Sequence, residues 1–127
     1  MKSVLTLPLI ALLLACSGQP PSMLGNWTID LDPMLAEART LNAKPADLDA
    51  LRATYEGGQL AVTSSEMVLG IGGKDQTTWR YQVLSQSGDC YDIKFDHAPG
   101  TYKHCIDGNQ MRVHDPDTRL TTVFRRD

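Results

Sequence analysis

The chain has 127 residues, enough for one domain with a single modest core. Acidic residues outnumber basic ones by 15 to 12, and the formal net charge is −3. Since the sequence contains no basic patch, we expect neither nucleic-acid binding nor electrostatic attraction to an anionic lipid surface.

The first fifteen residues have the pattern of an export signal. Lys2 supplies a positive charge, and residues 4–15 are apolar apart from Thr6 and Pro8. A run of this length is too short to span a bilayer as a mature helix. The sequence therefore predicts a signal peptide over residues 1–15.

This segment ends in Leu13-Leu14-Ala15-Cys16, followed by Ser17. The tetrapeptide resembles the lipobox of bacterial lipoproteins, in which the cysteine becomes the first mature residue and carries the lipid. The resemblance implies a diacylglyceryl group on Cys16, usually with an N-acyl chain; one acyl chain anchors marginally, but two or three anchor permanently. In lipoproteins of enterobacterial type, a residue other than Asp after the cysteine implies a periplasm-facing anchor in the outer membrane rather than the inner one. A plain secretory signal with an incidental cysteine is the alternative interpretation.

Residues 16–22 are predicted to form a lipidated tether, stiffened by Pro20 and Pro21, and residues 23–127 the folded domain. Without the signal, 112 of the 127 residues remain, with 11 basic and 15 acidic side chains and a formal charge of −4.

Lipidation of Cys16 leaves Cys90 and Cys105, an even number in an oxidising compartment, so a disulfide between them is expected. A thiolate metal site is the alternative. It is disfavoured because the sequence has neither a C-x-x-C spacing nor a nearby paired histidine motif.

The domain begins with a stretch typical of a half-buried strand. Gly25, Trp27 and Ile29 alternate with polar residues. Gly25-x-Trp27 resembles the opening of lipocalin-like barrels, in which the tryptophan closes the barrel floor. A strand that simply buries a tryptophan is the alternative.

A helix–turn–helix is predicted over about residues 33–55. Asp32 is suited to cap the first helix and Pro33 to begin it, while Pro45 is suited to begin the second. Gly57 and Gly58 follow and end the helical pattern. Apolar stripes on the two helices comprise Met34, Leu35, Ala38 and Leu41, then Leu48, Leu51 and Tyr55.

From Gln59 onward the apolar period is two, interrupted by turn residues, which predicts seven hairpin-linked strands. We expect each hairpin to adopt the register that places apolar residues opposite each other. Turns at Ser64-Ser65 and at residues 72–74 give the pairs Val62–Met67, Leu60–Leu69, Leu69–Thr77 and Met67–Trp79. A three-residue loop ending at Gly88 gives Trp79–Phe95, Tyr81–Ile93 and Val83–Tyr91.

The following hairpin connects the two cysteines. A four-residue loop over residues 96–99 gives the pairs Phe95–Gly100, Ile93–Tyr102 and Tyr91–His104. The same register places Asp92 opposite Lys103 and Cys90 opposite Cys105 on the other face, so the disulfide is predicted on the outer face.

The last two turns complete the pattern. Asp107-Gly108 is predicted to pair His104 with Met111 and Tyr102 with Val113. A turn over residues 115–118 then leads to a final strand with Leu120, Thr122 and Phe124 inward.

Eight strands joined in sequence would leave long open edges if the sheet were flat, and closure removes those edges. We therefore predict a mainly β fold: an eight-stranded up-and-down antiparallel barrel with a helical pair inserted between strands 1 and 2. A strongly curved half-barrel is the alternative. The inserted helical pair resembles the lid of fatty-acid-binding proteins of the calycin group, although those barrels have ten strands.

No set of residues predicts catalysis. The sequence has no Ser-His-Asp arrangement, glycine-rich phosphate loop or zinc spacing, and Asp115-x-Asp117 is too short for a calcium loop. Of the three histidines, His104 is expected to face inward, His97 to lie in a turn and His114 to face solvent. We therefore expect no enzymatic activity, no metal and no cofactor.

Two binding hypotheses follow. In the first, the barrel holds a small apolar or amphipathic molecule, as the lipocalin resemblance implies, with contacts from Tyr81, Tyr102, His104, Leu41 and Leu48. Because inward residues are bulky and several strands short, the interior is expected to be filled, and the ligand would then lie where the helices stand off one mouth.

In the second hypothesis, a filled barrel binds another envelope protein. In size, lipobox, barrel and single disulfide, the chain is similar to the membrane-bound inhibitors of c-type lysozyme and to immunity lipoproteins. The inhibitors' own functional motif is not recognisable in this sequence.

Overall fold

The structure is a computed structural model that describes residues 22–72, 75–116 and 119–126. Its strands are β1 (Gly25–Ile29), β2 (Gln59–Val62), β3 (Glu66–Gly70), β4 (Thr77–Ser87), β5 (Cys90–Phe95), β6 (Tyr102–Asp107), β7 (Gln110–His114) and β8 (Thr121–Arg126). Two helices, α1 (Leu31–Thr40) and α2 (Pro45–Tyr55), connect β1 to β2.

Each strand pairs antiparallel with the next, and β1 also pairs with β8, so the sheet is a closed barrel. This confirms the predicted eight-stranded up-and-down barrel with its helical pair between the first two strands. The half-barrel alternative is wrong, because Trp27 of β1 stands opposite Arg126 of β8.

Several predictions lie outside the described residues. These are the signal peptide, the lipobox with Cys16, and the tether as far as residue 21. The same holds for residues 73–74 of one predicted turn and residues 117–118 of another.

One end of the barrel is closed by Trp27, whose side chain is fully buried. Its indole Nε1 donates a hydrogen bond to the Met23 carbonyl at 2.9 Å. The Arg126 guanidinium carbon lies 4.1 Å from the centre of the indole ring, and its nitrogens donate to the carbonyls of Leu24 and Ser22 at 2.9 and 2.5 Å. The chain therefore joins the barrel at this closed end.

Three of the predicted hairpin registers are confirmed. Val62 pairs with Met67, Met67 with Trp79, and Ile93 with Tyr102. The β5–β6 register also places Cys90 opposite Cys105, and these two form a disulfide. Cys105 lies between His104 and Ile106, which are buried on the inner face, so the bond is on the outer face as predicted.

The predicted β6–β7 register is wrong by two residues. The predicted β4–β5 register is wrong by two residues at Val83 and by three beside the turn, where Tyr91 pairs with Gln86. Val83 pairs with Ile93, and His104 with Val113. In both hairpins glycine with positive φ is the first residue of a two-residue loop: Gly88 has φ 61° and Gly108 has φ 62°. A glycine at the first loop position is typical of type II′ turns.

The β4–β5 strands also contain a bulge between Val83 and Ser85, which shifts the pairing again along the same hairpin. A bulge adds one residue to one strand, and the period-two pattern alone does not reveal it.

Helix α1 begins at Leu31, so the predicted cap at Asp32 is wrong. The helix follows β1 directly. The pairing of β1 with β8 continues as far as Asp30, whose amide donates to the Val123 carbonyl at 2.8 Å. Met34, Leu35 and Ala38 are buried, and α1 packs on β8.

Thr122 and Phe124 face the barrel interior, so Val123 between them points outward. Val123 is nevertheless buried, because α1 covers the outer face of β8. Glu37 fixes this contact, since its carboxylate accepts a hydrogen bond from the Thr121 amide at 2.6 Å. The second helix begins at Pro45 as predicted, and its last residue, Tyr55, packs against the core.

Candidate ligand cavity at the open end of the barrel

A cavity of about 290 Å³ opens at the barrel end opposite the chain's N-terminal connection. It lies between the last residues of the odd-numbered strands and the first residues of the even-numbered ones. Its aliphatic lining includes Ile29, Leu60, Leu69 and Val113, and its aromatic lining Tyr55, Trp79, Phe95 and Tyr102. The volume is close to the lower limit of ligand pockets, which is about 300 Å³.

The interior is filled at one end and hollow at the other. Trp27, Ile93, Ile106 and Met111 are almost completely buried towards the closed end. The expectation of a filled interior therefore holds only for that half.

Rings form a continuous aromatic wall on one side of the cavity. Phe95 contacts Trp79 edge-on, with ring centres 5.7 Å apart, and Tyr102 with centres 5.6 Å apart. His97 stacks on Trp79 at 5.0 Å with an interplanar angle of 24°. Aromatic pairs favour such edge-on and stacked arrangements, so the wall presents a set of packed ring surfaces to a ligand.

His104 is the buried polar side chain of the cavity, with 2% of its surface exposed. Its Nδ1 lies 3.3 Å from the Tyr102 carbonyl oxygen. Burial lowers the pKa of His104 to about 4, although this hydrogen bond opposes the shift. The imidazole is therefore uncharged at neutral pH.

Other lining residues that carry polar groups are His97, Asp115, Thr122, Tyr55 and Tyr102. Among the described residues no lysine or arginine lines the cavity. The arrangement suits an uncharged or weakly polar molecule better than an anion, because a buried anion without a cationic partner is costly.

The predicted ligand contacts fall into two groups. Tyr102 and His104 line the cavity together. Tyr81 does not: its hydroxyl donates to the Thr63 carbonyl at 2.5 Å, and burial raises its pKa. Leu41 is exposed after the end of α1 and Leu48 is half-buried on α2, and neither lines the cavity.

Three lining residues are not among the predicted ligand contacts: Trp79 and Phe95 fit core positions in the sequence pattern, and His97 fits a turn. Their common signal is position, since each lies near or just beyond a strand end on the same side of the barrel as Tyr102. That signal depends on knowing which end of the barrel is open.

Within the described ranges, no group of three or more His, Cys, Asp or Glu side chains could hold a metal ion. No helix in the same part of the chain is both long enough and apolar enough to cross a membrane. No known family model matches the sequence, and no curated protein sequence is significantly similar to it.

Proposed function

We propose that this protein is a lipoprotein of the bacterial envelope, anchored through Cys16 in the outer membrane, whose barrel binds one small apolar or amphipathic molecule on the periplasmic side. The observation that carries the binding function is the open cavity of about 290 Å³, lined by aromatic and aliphatic side chains around one buried, uncharged histidine. Pockets for small molecules have this composition: mostly apolar, with a few placed polar groups.

The binding energy would come from apolar burial. Covering about 200 Å² of apolar ligand surface contributes roughly 5 kcal/mol. Part of this offsets the loss of ligand freedom on association, so we expect affinities in the micromolar range or weaker for simple apolar probes.

The position of the anchor supports access to this cavity. Ser22 and Leu24 are held at the closed end by Arg126. Cys16 precedes Ser22 by six residues, which span at most about 20 Å. A lipid on Cys16 would therefore hold the closed end towards the membrane and leave the open end facing the periplasm.

Binding can be measured with N-phenyl-1-naphthylamine, an uncharged probe whose fluorescence rises in apolar surroundings. A chain beginning at Ser17 contains every described strand and helix, including the β1–β8 closure, and avoids lipid and detergent. We expect saturable binding, strongly reduced by Thr122→Trp, which fills the cavity from β8. Thr78→Trp is the matched control, because Thr78 is exposed on β4 and does not line the cavity. Equal binding by the two variants would contradict the proposed site.

The anchor is tested separately by mass spectrometry of the full-length protein expressed in bacteria. We expect the wild type to lose residues 1–15, gain the mass of acyl chains and sediment with outer membranes. Cys16→Ser should gain no lipid mass. A wild-type protein that is cleaved elsewhere and carries no lipid would contradict the anchor but not the cavity.

One observation favours the protein-binding alternative. Val83 and Leu84 are adjacent apolar residues of β4 with 47% and 54% of their surface exposed. They lie beyond Arg80, the last β4 residue paired with β3. A stoichiometric envelope protein that is retained by wild type, lost with Val83→Ser/Leu84→Ser and unaffected by Thr122→Trp would favour this function over small-molecule binding.

A further inference from the structure

We propose that the ligand of the barrel cavity is an uncharged molecule that donates one hydrogen bond, from a hydroxyl or N–H group, to Nε2 of His104. This inference rests on the proposed binding function and specifies the polar group of the ligand. It follows from the protonation state of the His104 imidazole, from the cavity beside it and from the charges of the residues that line the cavity.

The hydrogen bond of Nδ1 determines which nitrogen carries the proton. A carbonyl oxygen can only accept, so Nδ1, at 3.3 Å from the Tyr102 oxygen, must be the donor. A neutral imidazole has a single N–H. Nε2 is then unprotonated and presents a lone pair.

The cavity is the space from which a ligand can reach that lone pair, because His104 lines it. Within the described residues, every fully buried side-chain nitrogen or oxygen atom has a hydrogen-bond partner. Among the described residues, the hydrogen bond of His104 is made by Nδ1, and Nε2 has no partner. Nε2 therefore belongs to the small part of the side chain, 2% of its surface, that remains exposed. Nε2 must therefore be reached from the cavity that His104 lines. A ligand that occupies this space without a donor would leave the acceptor unpaired.

The residues that line the cavity disfavour both anionic and cationic ligands. A carboxylate has no proton to donate to Nε2, and no described lysine or arginine lines the cavity to neutralise it. An ammonium could donate, but its transfer from water to a lining that is mostly aliphatic and aromatic costs most of its hydration, and Asp115 is the one carboxylate described there that would offset this cost.

The test compares four naphthalene probes that differ in one substituent: 2-naphthol, 2-methoxynaphthalene, 2-naphthoate and 2-naphthylmethylammonium. Calorimetry at pH 7 with the chain from Ser17 gives the four dissociation constants. We expect 2-naphthol to bind tightest, and the methyl ether, which cannot donate, about five- to tenfold more weakly. The two ions should bind more weakly than the ether.

Two variants connect this preference to one atom. His104→Phe removes the acceptor and keeps a ring of similar size, so 2-naphthol and its ether should bind equally. His114→Phe is the control: it makes the same substitution at an exposed histidine that does not line the cavity, so the preference for naphthol should persist.

The affinities of the wild type for the four probes test the inference even if His104→Phe does not fold. Equal affinity for 2-naphthol and its ether, or tighter binding of either ion, would overturn the inference while leaving an apolar cavity in place. Failure of all four probes to bind would contradict the proposed function as well. A nitrogen-resolved NMR spectrum of His104 provides a second readout, since we expect an unprotonated Nε2 whose resonance changes with 2-naphthol and not with the ether.

Discussion

His104 has two ring nitrogens in different surroundings. Nδ1 faces the backbone of its own strand, 3.3 Å from the Tyr102 carbonyl, and the ring borders the cavity. Burial disfavours the charged form of the ring, so the same side chain contributes to the pH dependence of folding and to the chemistry of the cavity.

The stability of the protein should fall as the pH is lowered from 6.5 to 4. The folded pKa of His104 is about 4, below the usual value of 6.5, so the unfolded chain binds more protons within this window. The resulting loss is at most about 3 kcal/mol, is complete near pH 4 and is absent above pH 7. Urea unfolding at a series of pH values measures it.

The matched variants for this measurement are His104→Phe and His114→Gln. The first should flatten the dependence over this window relative to wild type, and the second should not, because His114 is exposed. An identical pH profile for wild type and His104→Phe would contradict the burial of an uncharged imidazole.

Arg126 should stabilise the closed end through one cation–π contact and two hydrogen bonds. We expect Arg126→Gln to lower the free energy of unfolding by about 1–2 kcal/mol. Arg125→Gln is the control, since its contact with Asp30 at 3.7 Å is a surface ion pair, a class that contributes about 0–1 kcal/mol. Equal losses in the two variants would mean that the Trp27 contact is not specific.

At the scale of the elements, β5 and β6 form a hairpin whose strands are linked covalently, through Cys90 and Cys105. Replacing both cysteines by serine should cost about 3 kcal/mol, the value expected for a closed loop of about 15 residues. Ligand affinity should not change, because the bond lies on the outer face, away from the cavity. Denaturant unfolding and probe binding on the same double variant check both expectations.

This hairpin also indicates how far the fold could be predicted from the sequence. Its register was overdetermined: Ile93 with Tyr102, Asp92 with Lys103 and the cysteines all required one alignment. The β4–β5 register was not, because the bulge beside Leu84 and the position of Gly88 in its loop depend on local backbone conformation. Apolar alternation therefore predicts strands and closure, but it does not fix every pairing.

The site was predicted in part for the same reason. Tyr102 and His104 were assigned inward positions by the well-determined β5–β6 register. Tyr81 also faces inward, yet it lies beside Thr63 and away from the cavity. Which end stays hollow depends on how Trp27 and Met111 fill the other end in three dimensions, and sequence periodicity carries no information on that packing.

At the scale of the whole molecule, the two ends of the barrel differ. The closed end holds the incoming chain at Ser22 through Arg126, and the open end has the cavity with its aromatic wall. If Cys16 carries lipid, these ends face the membrane and the periplasm respectively. With that orientation, soluble molecules could reach the proposed binding site.

Native mass spectrometry tests the central claim, that this cavity holds a small molecule, most directly. The chain from Ser17 would be exported to the bacterial periplasm, purified without detergent and compared with its Thr122→Trp and Thr78→Trp variants. We predict a one-to-one complex with a small uncharged molecule in the wild type and in Thr78→Trp, and none in Thr122→Trp. Absence of any bound molecule in the wild type together with no uptake of 2-naphthol, or an identical complex in Thr122→Trp, would contradict the account.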